Sequence, residues 1–115
     1  MLLIDHATLN ELREALGEEL DNIVQLYADG LPTQSEALVT LLAAGDLPTL
    51  RRSAHSLKGS SVSMGAQQLG SRAAEIEKLA ASGELSDALQ MAVDTVPALA
   101  AETRAALVAA GWVSA

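Results

Sequence analysis

The stretch AHSLKGSSVSMGA, residues 54–66, contains three residues whose types and spacing point to chemistry, namely His55, Lys58 and Gly59. An imidazole with an ordinary pKa of about 6.5 is largely neutral at pH 7, and its free nitrogen is a nucleophile that phosphoryl donors can reach. On a helix, Lys58 lies one turn after His55 and can place its ammonium group against phosphoryl oxygens. Arg51, one turn before His55, can add a second cation. The spacing therefore predicts phosphoryl transfer through a phosphohistidine at His55.

Gly59 is an unusual choice for the interior of a helix, because glycine there costs about 1 kcal/mol relative to alanine. It follows His55 by one turn and has no side chain that could cover the imidazole. In-line transfer requires the two reacting atoms to come close together. We therefore expect Gly59 to leave a gap through which the backbone and acceptor carboxylate of a partner approach His55.

Helical periodicity predicts that His55 faces solvent. At about 100° per residue, one arc of the helix collects small and apolar residues that we expect to be buried, and these are Leu47, Leu50, Ala54, Leu57, Ser61 and Met64. A neighbouring arc carries Arg51, His55, Lys58, Gly59 and Val62. His55 lies more than about 90° from the centre of the buried arc. We expect the surface around it to bind a partner, with contributions from Arg51, Arg52, Val62 and, on the preceding helix, Tyr27.

The charge distribution singles out the same region. The chain has a formal net charge of −8, which argues against nucleic-acid binding. No acidic residue lies between Leu47 and Ala74, but this window holds four of the seven strong bases, namely Arg51, Arg52, Lys58 and Arg72. The sequence predicts a basic patch around His55 in an otherwise acidic protein.

Several kinds of site and segment are excluded by composition. There is no cysteine, which removes disulfides, thiolate metal sites and cysteine nucleophiles. No cluster of side chains has the spacing of metal ligands, so we expect no metal site and no cofactor. The N-terminus lacks the basic region of a signal peptide, and no apolar run of about 18 residues could span a bilayer. We expect a cytoplasmic protein that binds neither membrane nor nucleic acid.

Apolar spacing and capping signals predict an all-α fold. The expected helices run from Thr8 to about Leu16, from Glu18 to about Ala44, from Leu47 to about Ser63, from about Ala66 to Ser82, and over residues 85–110. Thr8 and Glu11 fit a capping box at the start of the first helix, and Asp46 is the expected N-cap of the third. We expect Pro32, with Gly30, to kink the second helix and Pro97 to bend the last.

The end of the chain and the arrangement of helices follow from the same signals. Gly111 and Trp112 predict a Schellman motif after the last helix, with the indole packed on its final turn. Four longer amphipathic helices with short connections predict an antiparallel four-helix bundle with an additional short N-terminal helix. The length fits a single domain over residues 1–115, and we expect a monomer because one bundle uses all the apolar stripes.

The stretch AHSLKGSSVSMGA resembles the signature of histidine-containing phosphotransfer (HPt) domains, in which a helix reads His, two residues, Lys, Gly and then small residues. The resemblance continues in AAGDLPTLRRSAHSLKGSS and LGSRAAEIEKLAASGEL, which are similar to the junction before that helix and to the fourth helix of the family. It implies a four-helix bundle in which His55 is phosphorylated, Lys58 supports the phosphoryl group and Gly59 keeps the docking surface open. The small residues Ser60 and Ser61 match positions of tight helix packing.

The resemblance also implies the partners of the chain. Such domains carry phosphoryl groups without kinase activity of their own, between a sensor or hybrid histidine kinase and the receiver domains of response regulators. The Mg²⁺ needed for transfer is then supplied by the receiver.

The same residues suggest three other interpretations. A phosphate-binding P-loop requires a glycine-rich loop before Gly-Lys-Ser/Thr, whereas Lys58 precedes Gly59 inside a helix. The phosphorylated histidine of a kinase dimerisation domain is typically followed by an acidic residue, whereas Ser56 follows His55. A helical adaptor that binds receiver or kinase domains without transferring phosphate is the remaining alternative. His6, the other histidine, has no basic neighbours and is interpreted as a surface residue.

Overall fold

The computed structural model describes all residues 1–115 and contains six helices and no strand. The helices are α1 (His6–Leu16), α2 (Glu19–Ala43), α3 (Leu47–Ser63), α4 (Gln67–Ala81), α5 (Asp87–Asp94) and α6 (Val96–Ala109). The all-α prediction is confirmed. None of the six helices combines the length and the apolar character needed to cross a membrane.

The ends of α3 are fixed by local signals that the sequence shows directly. The Asp46 carboxylate accepts a hydrogen bond from the backbone N–H of Thr49 at 3.2 Å, so Asp46 is the N-cap as predicted. After the helix, Gly65 has a φ of +77°, and a Cβ at this position would lie 2.7 Å from the carbonyl oxygen of Asp5. A side chain at Gly65 would therefore strain both the turn and its contact with the N-terminal segment.

The first helix begins two residues earlier than expected. Asp5, not Thr8, is the N-cap of α1, and its carboxylate accepts from the backbone N–H of Ala7 at 3.1 Å. Thr8 lies inside the helix, where its hydroxyl donates to Asp5 at 3.1 Å. The backbone N–H of Asp5 also donates to the carbonyl of Gly65 at 2.8 Å. This tertiary bond places Asp5 at the helix start, and the capping-box prediction at Thr8 and Glu11 is wrong.

The predicted last helix over residues 85–110 is two helices, α5 and α6, which meet at Thr95. Proline has no N–H to donate and its ring crowds the carbonyl four residues earlier, so it is tolerated best in the first turn of a helix. Pro97 occupies that turn of α6. The predicted bend is therefore a break. In contrast, α2 is assigned as one helix through Gly30 and Pro32.

One apolar core joins the helices. α3 packs along α4, α2 contacts both α3 and α6, α4 contacts α5 and α6, and α1 contacts α2. The whole predicted stripe of α3 is buried, namely Leu47, Leu50, Ala54, Leu57, Ser61 and Met64. Burial of each leucine side chain contributes about 1.5–3 kcal/mol. The opposite face of α3 is left for solvent.

The C-terminal cap has the predicted backbone but a different side-chain contact. The backbone N–H of Trp112 donates to Leu107 and that of Gly111 to Val108, both at 3.0 Å, which is a Schellman motif. The indole, however, stacks on His6 of α1 with the ring centroids 6.3 Å apart, and its Nε1 donates to His6 Nδ1 at 2.9 Å. The indole thus links the C-terminus to α1. His6 is exposed, as expected, and it is the partner of the indole.

Candidate functional site

His55 lies on the solvent face of α3, as the periodicity predicts. Its side chain is 67% exposed, whereas Ala54 and Leu57 on the same helix are buried. The buried stripe holds α3 against α4 and α2, so the position of His55 is set by a well-packed helix and not by a loop. An imidazole placed in this way is accessible to a partner and fixed in direction.

The site contains an acidic residue that the sequence analysis missed. Glu77, on α4, lies across the helix interface, with Oε2 2.6 Å from His55 Nδ1 and Oε1 2.7 Å from Lys58 Nζ. The acid-free window of the sequence is therefore not an acid-free surface. Ala73, Ile76 and Ala80 form the buried stripe of α4, so the spacing places Glu77 beside that stripe, but only the packing shows which helix it faces.

Glu77 is ionised near neutral pH, and its carboxylate determines the tautomer of the neutral His55 ring. The pKa of Glu77 is lowered chiefly by its hydrogen bond from Lys58, with a further contribution from His55, against an opposing effect of desolvation. A carboxylate can only accept a hydrogen bond. In the neutral imidazole, the proton is therefore assigned to Nδ1 facing Glu77, and the lone pair is on Nε2. The arrangement leaves Nε2 without a hydrogen-bond partner in the protein.

The three cations around His55 have different surroundings. Lys58, predicted to support a phosphoryl group, is bound to Glu77. Arg52 donates to the Thr49 hydroxyl at 3.2 Å. Arg51 makes no hydrogen bond or ion pair within the protein. Together with Pro48 and Glu77, both arginines and His55 line an open cleft on the surface.

Gly59 and Val62 lie on the exposed side of α3 beyond His55. A Cβ added at Gly59 would have no atom within 4 Å, so the space beside this position is open, as predicted. Val62 is 62% exposed. Its Cγ2 would lie 3.1 Å from a Cβ at Gly70, so the absence of a side chain at Gly70 lets α4 approach this part of α3. Both predicted surface residues are accessible.

Tyr27 is not part of this surface, and its predicted role in binding is wrong. The side chain is buried, and its hydroxyl pairs with the Ser61 hydroxyl at 2.7 Å. Burial raises the pKa of Tyr27 to about 12, with the hydrogen bond to Ser61 acting in the opposite direction. The pair satisfies two polar groups inside the α2–α3 interface. The structural interpretation of Ser61 is confirmed by this contact.

No metal-binding cluster accompanies the site. Nowhere in the structure do three or more His, Asp or Glu side chains converge as metal ligands. At His55 the only neighbouring acidic ligand is Glu77, and both of its oxygens already accept hydrogen bonds. The residues present are an exposed imidazole, a carboxylate hydrogen-bonded to it and a group of cations.

The chain is similar to a known protein family and to a known protein. The family model of the Hpt domain matches residues 6–109. The phosphorelay protein LuxU of Vibrio cholerae serotype O1 is 32% identical over 85 residues, which cover 73% of this chain and 75% of LuxU. No solved structure gave a significant match. Because the family model spans α1 to α6 and includes His55, Lys58 and Gly59, the protein belongs to the Hpt domain family.

Proposed function

We propose that this protein is a histidine phosphotransfer protein that accepts a phosphoryl group on Nε2 of His55 and exchanges it with an aspartate of a receiver domain. The observation that carries the proposal is the pairing of His55 Nδ1 with Glu77 on an exposed helix face. This pairing leaves one ring nitrogen both unprotonated and open to a partner. Membership of the Hpt family and the similarity to LuxU support the same conclusion.

The transfer balances with the groups in the site. The Nε2 lone pair attacks the phosphorus of an aspartyl phosphate, the N–P bond forms, and the bond between phosphorus and the aspartate oxygen breaks. The aspartate leaves as a carboxylate. The imidazole ring gains positive charge as the bond forms, and the Glu77 carboxylate at Nδ1 stabilises that charge or accepts the Nδ1 proton. Return of the phosphoryl group to a second receiver is the reverse reaction.

Lys58 has a proposed role that follows the formation of phosphohistidine. In the unphosphorylated protein its ammonium is bound to Glu77. Once a phosphoryl group is attached to His55, one helical turn away, its oxygens offer Lys58 a second acceptor of higher charge. Lys58 then moves between the carboxylate and the phosphoryl group. We propose that this exchange stabilises the phosphorylated state.

The partners are proposed on the same basis. We propose receiver domains of response regulators and a sensor or hybrid histidine kinase, with Mg²⁺ contributed by the receiver. The open space at Gly59 and the exposed Val62 give a receiver access to His55. The carrier works without kinase activity of its own.

The proposed scaffold is a single monomeric domain. We propose an antiparallel four-helix bundle formed by α2, α3, α4 and the α5–α6 segment, with α1 as the additional helix. The contacts among these helices and the single apolar core support the arrangement. Since the apolar stripes are used within one core, no second copy is needed to cover them.

The test is transfer from a phosphorylated receiver domain of the same organism, with wild type and His55→Gln compared. We expect the wild type to acquire an acid-labile, base-stable phosphoryl group and His55→Gln to acquire none. Because His55 is exposed and contributes nothing to the core, the variant should keep the thermal stability of the wild type. Labelling of the variant would move the site elsewhere. A folded wild type that no receiver labels would favour the phosphotransfer-inactive adaptor.

A further inference from the structure

Arg51 is the one cation beside His55 with no partner in the protein. Lys58 is bound to Glu77 at 2.7 Å, and Arg52 donates to the Thr49 hydroxyl at 3.2 Å. Arg52 is also close enough to Asp46 to contribute to its lowered pKa, which is caused mainly by the hydrogen bonds between Asp46 and Thr49. Arg51 has no comparable interaction. Its charge is therefore available to an incoming anion without loss of an existing contact.

Arg51 lies on the same side of α3 as His55. Arg51 precedes His55 by four residues, so the two side chains are neighbours on α3. They line the same cleft, together with Pro48, Arg52 and Glu77. Glu77 makes no ion pair with Arg51, and its two oxygens accept from His55 and Lys58.

We propose that Arg51, and not Lys58, is the residue that first binds the phosphoryl group transferred to His55, an inference that rests on the proposed function. The ligand class is a phosphoryl dianion held by a planar guanidinium, which can donate two parallel hydrogen bonds to its oxygens. Lys58 joins later, since it must first leave Glu77. The uptake and the retention of the phosphoryl group are thereby assigned to different cations.

A small phosphoryl donor separates this proposal from partner recognition. The Nε2 atom of histidine attacks the phosphorus of phosphoramidate, the new N–P bond forms, and the P–N bond of the donor breaks. The protonated nitrogen of the donor leaves as ammonia, so no receiver is needed. The rate of phosphohistidine formation is measured for wild type and for Arg51→Gln, Arg51→Lys, Arg52→Gln and Lys58→Ala. Lys78→Gln serves as the matched charge control, since Lys78 is exposed on α4 and makes no hydrogen bond or ion pair.

We expect Arg51→Gln to slow uptake about tenfold, as for the loss of one donor to a developing anion in a solvent-exposed site. Arg51→Lys should recover part of the rate, because it restores the charge but not the two-pronged geometry. Arg52→Gln and Lys58→Ala should each change uptake by less than about threefold, because these cations are engaged elsewhere. Lys78→Gln should match the wild type.

A second measurement distinguishes phosphoryl binding from a general effect of charge on the rate. In the phosphorylated proteins, ³¹P chemical shifts followed against pH give the pKa of the second ionisation of the phosphoryl group. A cation in contact favours the dianion and lowers this pKa. We expect a higher value in Arg51→Gln than in Lys78→Gln.

The outcomes are separable. A wild type that forms no phosphohistidine with phosphoramidate or with any receiver refutes the proposed function itself. The assignment to Arg51 is overturned if the wild type is labelled and Arg51→Gln is labelled at the same rate. It is also overturned if Lys58→Ala or Arg52→Gln slows uptake as much as Arg51→Gln does. Both outcomes leave the phosphotransfer function intact.

Discussion

The buried Tyr27–Ser61 pair makes stability at high pH a quantitative test of how α2 packs on α3. Burial raises the pKa of Tyr27 from its usual value of 10.0 to about 12. Between these values the folded state holds the phenolic proton while the unfolded state has lost it, so the free energy of unfolding falls as pH rises. The contribution is intact below pH of about 10 and is lost progressively up to about pH 12.

The size of the effect follows from linkage. At pH 11 the unfolded state is about tenfold more extensively deprotonated than the folded state, which lowers the free energy of unfolding by about 1.4 kcal/mol. At pH 12 and above the loss approaches about 2.7 kcal/mol. For a chain of this size, the loss at pH 11 corresponds to a decrease in Tm of about 6–10 °C.

The assay is urea unfolding of wild type and Tyr27→Phe from pH 8 to pH 11.5, with the phenolate absorbance of the folded wild type followed in parallel. Tyr27 is the only tyrosine in the chain, so this absorbance reports one group. Tyr27→Phe should cost about 1 kcal/mol at pH 8, because the Ser61 hydroxyl loses its partner, but it should lack the phenol-dependent part of the decrease at high pH. A folded protein whose phenolate forms with a midpoint near the ordinary value of about 10 would refute the burial of Tyr27.

Three further predictions concern the site. Gly59→Gln should raise the free energy of unfolding by about 0.5–1 kcal/mol, since the added side chain meets open space and glycine is a poor helix former. It should slow phosphoryl transfer from a receiver but not from phosphoramidate. Equal rates of transfer from a receiver to the variant and to the wild type would contradict the open gap. Glu77→Gln should slow phosphohistidine formation about tenfold, and ¹⁵N NMR should show less of the Nδ1-protonated tautomer of His55 in this variant. A wild-type ring protonated mainly on Nε2 would contradict the proposed orientation. Lys58→Ala should shorten the lifetime of the phosphohistidine or slow transfer of the phosphoryl group to a receiver. It should also raise the pKa of Glu77 towards its usual value. No change in lifetime or in transfer would remove Lys58 from the mechanism.

The face and the limits of α3 were determined by the sequence alone. Asp46 as N-cap, the stop at Gly65 and the burial of Leu50 and Leu57 depend on interactions within a few residues or on helical periodicity. The exposure of His55 follows from the same arithmetic. Local rules failed where two signals competed: Asp5 displaced Thr8 as a cap because a bond to Gly65 holds it in place.

The last predicted helix shows how a local signal can be recognised and still be misjudged. The sequence predicts that Pro97 disturbs a continuous helix, and the structure accommodates this proline in the first turn of α6. In α2, by contrast, Pro32 lies inside a helix. The same residue type therefore lies in the first turn of one helix and in the interior of another.

Only the tertiary structure decided which residues complete the site and the core. Glu77 lies 22 residues from His55, Ser61 lies 34 from Tyr27, and Trp112 lies 106 from His6. The sequence shows that each of these side chains has a polar group. The partner of that group depends on which helices pack together and on their relative positions along the helix axes. Periodicity gives the direction of a side chain around its own helix axis and carries no information about the neighbouring helix. The exposed position of His55 was therefore predictable from the sequence, whereas the carboxylate at its Nδ1 was not.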